Sequence, residues 1–152
     1  MTDIVDAATR SRMMSGIRSR NTRPELLVRR LLHRMGFRFR LHVRTLPGTP
    51  DLVLARYHAV IFVHGCFWHG HACPLFRLPA TRTDFWRDKI SRNQKNDRKN
   101  RDALRASGWR VATVWECALR GRAADPERAV NQLSGWLKGL APVLELSGVQ
   151  SN

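Results

Sequence analysis

The chain has 152 residues, 43% of them hydrophobic, which suits one domain with a buried core. Its 27 basic residues against 12 acidic ones give a net charge of +15 and a pI near 11.6, which points to nucleic acid or an anionic membrane surface as partner. No apolar stretch approaches the ~20 residues of a membrane span, MTDIVDAATR is no signal peptide, and three cysteines are few for a disulfide scaffold, so a soluble cytoplasmic protein with free thiols is expected.

Residues 1–21 form a polar, basic N-terminal arm. Thr9 or Ser11 can cap a short helix that carries Met13, Met14 and Ile17. Its apolar side chains either dock on the core or order on DNA. In the second case Arg10, Arg12, Arg18 and Arg20 meet phosphate, and the methionines can wedge between base steps. Thr22 to Glu25 reads as a capping box, with Pro24 near the start of the helix. Leu26, Leu27, Leu31, Leu32 and Met35 then recur at helical spacing, and Gly36 is the natural stop. Glu25 is the only acid between Arg10 and Arg44. It is either a cap residue or a carboxylate near a metal.

Phe37, Phe39, Leu41 and Val43 alternate with basic residues, as in a strand with one solvated face. Leu46 to Pro50 makes a turn. Leu52 to Ala55 is a second strand, and Ala59 to His64 a third. If the two pair antiparallel, Asp51 at the start of one is a neighbour of His64 at the end of the next.

The stretch 59–76, AVIFVHGCFWHGHACPLF, concentrates the reactive side chains. Three of the six histidines and two of the three cysteines lie within ten residues of it. A buried strand needs none of these groups. Cys66, His71, Cys73 and the distant Cys117 are a proper set for tetrahedral zinc, and closed sites of this kind are structural. The alternative is three cysteines buried as small hydrophobes. His64 and His69 are then left without a zinc role.

Thr83 or Asp84 can cap a long helix to about Ser107, with Trp86, Ile90, Asn93, Asp97, Arg101 and Leu104 on one stripe. Asp97 is either solvated or, if buried, paired with a base or a histidine. A histidine beside it would be held in one tautomer and could take a proton from water. Trp109, Val111, Thr113 and Trp115 alternate as a fourth strand. Asp125 and Pro126 open a last helix to about Lys138. The tail, residues 141–152, carries no signal and leaves 22–140 as the folded domain.

Three motifs carry a resemblance. VHGCFWH-x-H-x-C (Val63 to Cys73), PATRT-x-FW (Pro79 to Trp86) and VWECALRGR (Val114 to Arg122) are similar to the very short patch repair endonucleases, called Vsr. The pattern Thr9 to Met14 resembles that family too. Together they cover the chain to about residue 138. The resemblance implies an α/β, restriction-endonuclease-like fold, a mixed central sheet flanked by helices, with zinc on Cys66, His71, Cys73 and Cys117. It implies a Mg2+-dependent nick immediately 5′ of the thymine in a T:G mismatch of double-stranded DNA, such as deamination of 5-methylcytosine leaves. It further implies a monomer in the bacterial cytoplasm, associated with the nucleoid and in contact with mismatch-repair proteins. Asp51 would hold the Mg2+ with the backbone carbonyl of Val63, where the family often has Thr. His69 would activate water, Asp97 would orient His69, His64 would contact the scissile phosphate, and Glu25 would sit at the edge. Phe67, Trp68 and Trp86 would form a wedge with Met14 opposite, and Arg10, Arg12, Arg82 and Arg120 would bind DNA.

Two other classes fit parts of the pattern. A zinc-stabilised DNA-binding module explains the charge and cysteines, but not Asp51, His64, His69 and Asp97 together. A restriction-type nuclease that cuts both strands of a symmetric site would usually need a dimer.

Overall fold

A computed structural model describes residues 21–122 and 124–148 of the chain. The expectations for the arm, including Arg10, Arg12 and Met14, lie outside the described residues.

Helix α1 (Arg23–Arg34) starts as the sequence suggests. The Thr22 hydroxyl accepts from the Glu25 N–H at 3.4 Å, and a proline stands in the first turn. It stops at Gly36, whose φ of +96° lets Gly36 N–H bond His33 O and Phe37 N–H bond Leu32 O, both at 3.0 Å. Val28, Leu31 and Leu32 are buried, whereas Leu26 and Met35, expected on the core stripe, are exposed.

The strand expected over Phe37 to Val43 is a correction. Only Arg40–Leu41 pairs, as β1, and both residues are exposed. His42 has φ +49°, which breaks the extended run and turns its ring inward. Strand β2 (Leu52–Leu54) ends one residue before expected, because Ala55–Tyr57 forms a 3-10 turn. It pairs antiparallel with β3 (Ala59–His64) in the register Leu52↔Ile61. Helix α2 (Thr83–Ala106) matches the expected span, but neither expected cap holds. Arg82 is the N-cap residue, and the Thr83 hydroxyl instead donates to Pro79 O and Ala80 O at 2.9 and 3.0 Å.

Strand β4 (Arg110–Trp115) lies parallel to β3, and His64 pairs with Trp115. Its residues 111–114 are all buried rather than alternating. A strand covered on both faces reads as a continuous apolar run. Helix α3 (Pro126–Lys138) is capped by the Asp125 side chain on Arg128 N–H, 3.1 Å. The segment expected to be a tail contains a strand: β5 (Val143–Leu146) lies parallel to β4. Its alternate residues face solvent, so it left no apolar run in the sequence.

The result is the expected mixed sheet flanked by helices, in the order β1-β2-β3-β4-β5. Helices α1 and α3 share one core with Leu52, Ile61 and Ala112, and Leu104 of α2 packs a second with Val60, Phe62 and Val111. β3 is the strand where antiparallel pairing gives way to parallel.

Candidate active site and metal centre

Asp51 enters β2 beside the last turn of β3. Its Oδ2 accepts the Val63 N–H at 2.7 Å. A strand residue turns its N–H and C=O to the same edge, so the Val63 carbonyl faces the same side. Asp51 is buried, and burial pushes its carboxyl up to about 7 against the pull of the Val63 N–H and the Arg29 charge. A buried carboxylate with an adjacent backbone carbonyl suits a hard divalent cation, which takes oxygen ligands.

Glu25 lies on the other side of that carboxylate and is only 1% exposed. It receives the Asn21 N–H at 3.2 Å and contacts Arg29 Nη2. His42 Nε2 lies 2.9 and 3.1 Å from its two oxygens, and 3.8 Å from Asp51 Oδ1. Glu25 is therefore a helix-start acid whose carboxylate also lies beside His42 and Asp51. Sequence reasoning missed His42. The sequence pattern puts it on a solvated basic face, and only its left-handed backbone brings it here.

His69 and Asp97 meet. Nδ1 of the one is 2.5 Å from Oδ2 of the other, across 28 residues of sequence. With Asp97 accepting the Nδ1 proton, Nε2 carries the lone pair and can receive a proton. Helix α2 fixes this loop. Asn93 Nδ2 donates to Trp68 O at 2.8 Å, and Gln94 Nε2 to His69 O at 3.1 Å. His64 stacks on His69 at 3.8 Å, nearly parallel. Burial, and then the neighbouring His69, push the His64 ring down to about 3, so it stands neutral. Its buried Nδ1 has no partner among the described residues. Asp51, Val63, His64, His69 and Asp97 line one cleft of about 580 Å³. Arg98 and Arg101 line it too, and nothing in the sequence pattern singles them out as DNA contacts.

The donors of Cys66, His71, Cys73 and Cys117 lie within 4.8 Å of one another. His71 Nδ1 is 3.5 Å from both Cys66 Sγ and Cys117 Sγ. Bonds of about 2.3 Å to sulfur and 2.0–2.1 Å to nitrogen in a tetrahedron set N and S about 3.6 Å apart, so the residues fit zinc. Burial pushes the Cys66 and Cys117 thiols up, a cost that a bound cation offsets. Gly148 N–H donates to Cys117 Sγ at 3.2 Å, and His71 stacks on Trp115, whose Nε1 donates to Glu145 at 2.7 Å. The C-terminal segment thus packs against this cluster from outside.

Phe67, Trp68 and Trp86 form one half-buried cluster, with ring centroids 4.9–5.6 Å apart. Phe85, exposed and 5.2 Å from Trp86, extends it beyond the three rings expected. The Arg82 guanidinium lies 4.4 Å over the Phe85 ring. Arg120 is exposed and pairs with Glu116 at 3.2 Å.

Comparison with known proteins gives this geometry its context. The family model described as DNA mismatch endonuclease Vsr matches residues 2–75. The chain is 48% identical over 140 residues to the protein named DNA mismatch endonuclease Vsr of Escherichia coli (strain K12), spanning 91% of this chain and 90% of that protein. This chain belongs to the Vsr family. Other relatives bear the name of nicking enzymes. V.XorIIP of Xanthomonas oryzae pv. oryzae is 50% identical over 88% of this chain and 98% of its own length. V.NmeAIP of Neisseria meningitidis serogroup A is 45% identical over 91% and 98%. Vsr membership makes this chain a DNA endonuclease, a hydrolase whose partner is DNA. No described helix is long and apolar enough to cross a membrane.

Proposed function

We propose that this protein is a Mg2+-dependent endonuclease of restriction-endonuclease-like fold that nicks one strand of duplex DNA immediately 5′ of the thymine in a T:G mismatch. The observation that carries this reading is the convergence on one cleft of a buried carboxylate, Asp51, and a carboxylate-oriented histidine, His69 with Asp97 at 2.5 Å. A hydrolytic nick needs those two functions, an acid to hold a cation and a base to take the proton of water.

Asp51 and the Val63 carbonyl would hold Mg2+, which polarises the scissile phosphate and offsets charge on the leaving oxygen. Because a backbone oxygen serves at position 63, Val costs nothing there. His69 Nε2 takes a proton from the attacking water, and Asp97 fixes the tautomer and shares the charge. His64, neutral and stacked on His69, contacts the phosphate without opposing that proton transfer. The rings of Phe67, Trp68 and Trp86 supply the apolar surface that unstacks a base step, which costs least at a mismatch.

The deciding assay uses end-labelled duplexes that differ at one base pair, T:G or T:A, with Mg2+ or EDTA. One labelled product, from the thymine strand of the T:G duplex and only with Mg2+, is expected. Equal cutting of T:A, or cutting of both strands, would falsify the reading.

A further inference from the structure

The donor set around Asp51 is larger than a carboxylate and a carbonyl. Ligand atoms of Glu25, His42 and Asp51 lie within 4.8 Å of one another, with the two acids buried and the histidine half-buried. The two shortest of their spacings suit adjacent donors on one ion, and the third lies between the adjacent and the opposite distance. Adjacent donors on an octahedral ion with bonds of about 2.1 Å are about 3.0 Å apart, and opposite ones about 4.2 Å. His42 Nε2 stands 2.9 and 3.1 Å from the Glu25 oxygens, and 3.8 Å from Asp51 Oδ1. Oδ1 is the Asp51 oxygen not taken by the Val63 N–H.

His42 reaches this point in the left-handed region, φ +49°. That is uncommon for a residue other than glycine, and such strain collects at functional sites. Its N–H also bonds Asp51 O at 3.2 Å, which ties the two backbones together. The positive charge now facing the group is Arg29. Its Nη2 contacts Glu25, donates to Asn21 Oδ1 at 2.8 Å and lies 3.3 Å from His42 Nε2, while its buried Nε has no partner among the described residues. That guanidinium supplies the positive charge that a metal ion would replace.

We propose that Glu25 and His42 join Asp51 as the side-chain donors of one divalent-cation site, with His42 Nε2 as a nitrogen ligand that favours Mn2+ over Mg2+. The proposal rests on the reading of Asp51 as a cation ligand. Mg2+ is small, hard and oxygen-seeking, whereas first-row cations accept imidazole as well as carboxylate. The nitrogen therefore adds affinity for one class and little for the other.

Mn2+ alone is the probe, added to the full chain without DNA and followed by electron paramagnetic resonance. One bound Mn2+ whose spin echo is modulated by 14N is expected. His42→Gln should lose that modulation and weaken Mn2+ binding about tenfold or more, while His64→Gln keeps both. Mn2+ bound without 14N modulation, or modulation that survives in His42→Gln, overturns the proposal and leaves Asp51 as a ligand. The unaltered chain alone decides the first of these, whatever the variant's stability. If Asp51→Asn binds Mn2+ as tightly as the unaltered chain, the proposal and the assignment of the cation to Asp51 fail together.

Discussion

Asp51 is an acid kept where acids ionise poorly. Burial raises its pKa from 3.8 to about 7. A folded-state pKa above the unfolded one means that folding takes up a proton, so this group's contribution to stability is full below about pH 4 and is lost as pH rises through about 7. Asp51→Asn removes the charge and can keep the bond to the Val63 N–H. Without added divalent cation, the variant should melt above the unaltered chain at about pH 8, and the gap should close as pH falls toward about 4. Thermal melts across that range check it; a gap that is constant with pH would show that Asp51 is not the group responsible. At this scale the sequence was legible where a residue type is out of place. Asp97 interrupts an apolar stripe, and an acid there needs a partner, which proves to be His69. His42 was not legible, because its role depends on one backbone dihedral and not on any pattern.

The turn before β2 shows how an element positions chemistry. Leu46 to Thr49 closes with Thr49 N–H on Leu46 O at 3.1 Å, with Pro47 and Gly48 between them. Gly48 has φ +75°, and a Cβ there would meet the Asn100 Cβ of α2 at 2.9 Å. A proline followed by a positive-φ glycine is the demand of a type II turn. Gly48→Ala should cost roughly 1–3 kcal/mol from the dihedral and the contact, a fall of roughly 3–9 °C in Tm for a chain of this size. Gly48→Asn should cost less of the dihedral part, since Asn tolerates left-handed φ. An unchanged Tm in Gly48→Ala would mean that the turn relaxes freely. Helices were the most legible elements, because caps and apolar spacing agree in α1 and α3. β1 and β5 were least so. The alternation at Phe37 to Val43 follows real burial of Phe37, yet His42 ends the pairing. β5 is set by pairing to β4, a long-range fact that local sequence does not carry.

Across the whole molecule, the cluster of Cys66, His71, Cys73 and Cys117 joins the loop after β3 to the residues after β4, with His71 and Cys117 46 residues apart. A closed four-ligand site contributes folding energy outright. The purified protein should hold about one zinc per chain by elemental analysis, and Cys117→Ala should lower Tm and zinc content together. A zinc-free chain that melts at the same temperature would remove the metal from the account. The residue types in the sequence made the grouping of these four side chains readable in advance, but the contacts from Glu145 and Gly148 were not, since both lie in the segment without signal.

The change from antiparallel to parallel pairing at β3 also sets how far apart in sequence the partners around the cleft lie. Asp51 and Val63 are 12 residues apart in sequence, His69 and Asp97 are 28, and Cys66 and Glu116 are 50. Closing the longest of these loops costs about 1 kcal/mol more chain entropy than closing the shortest, and contacts between distant segments form late. Chain closure therefore costs least for the hairpin that carries Asp51 and most for the contact that ties Cys66 to the end of β4. The cleft is thus assembled from one short-range contact and several that reach across the chain.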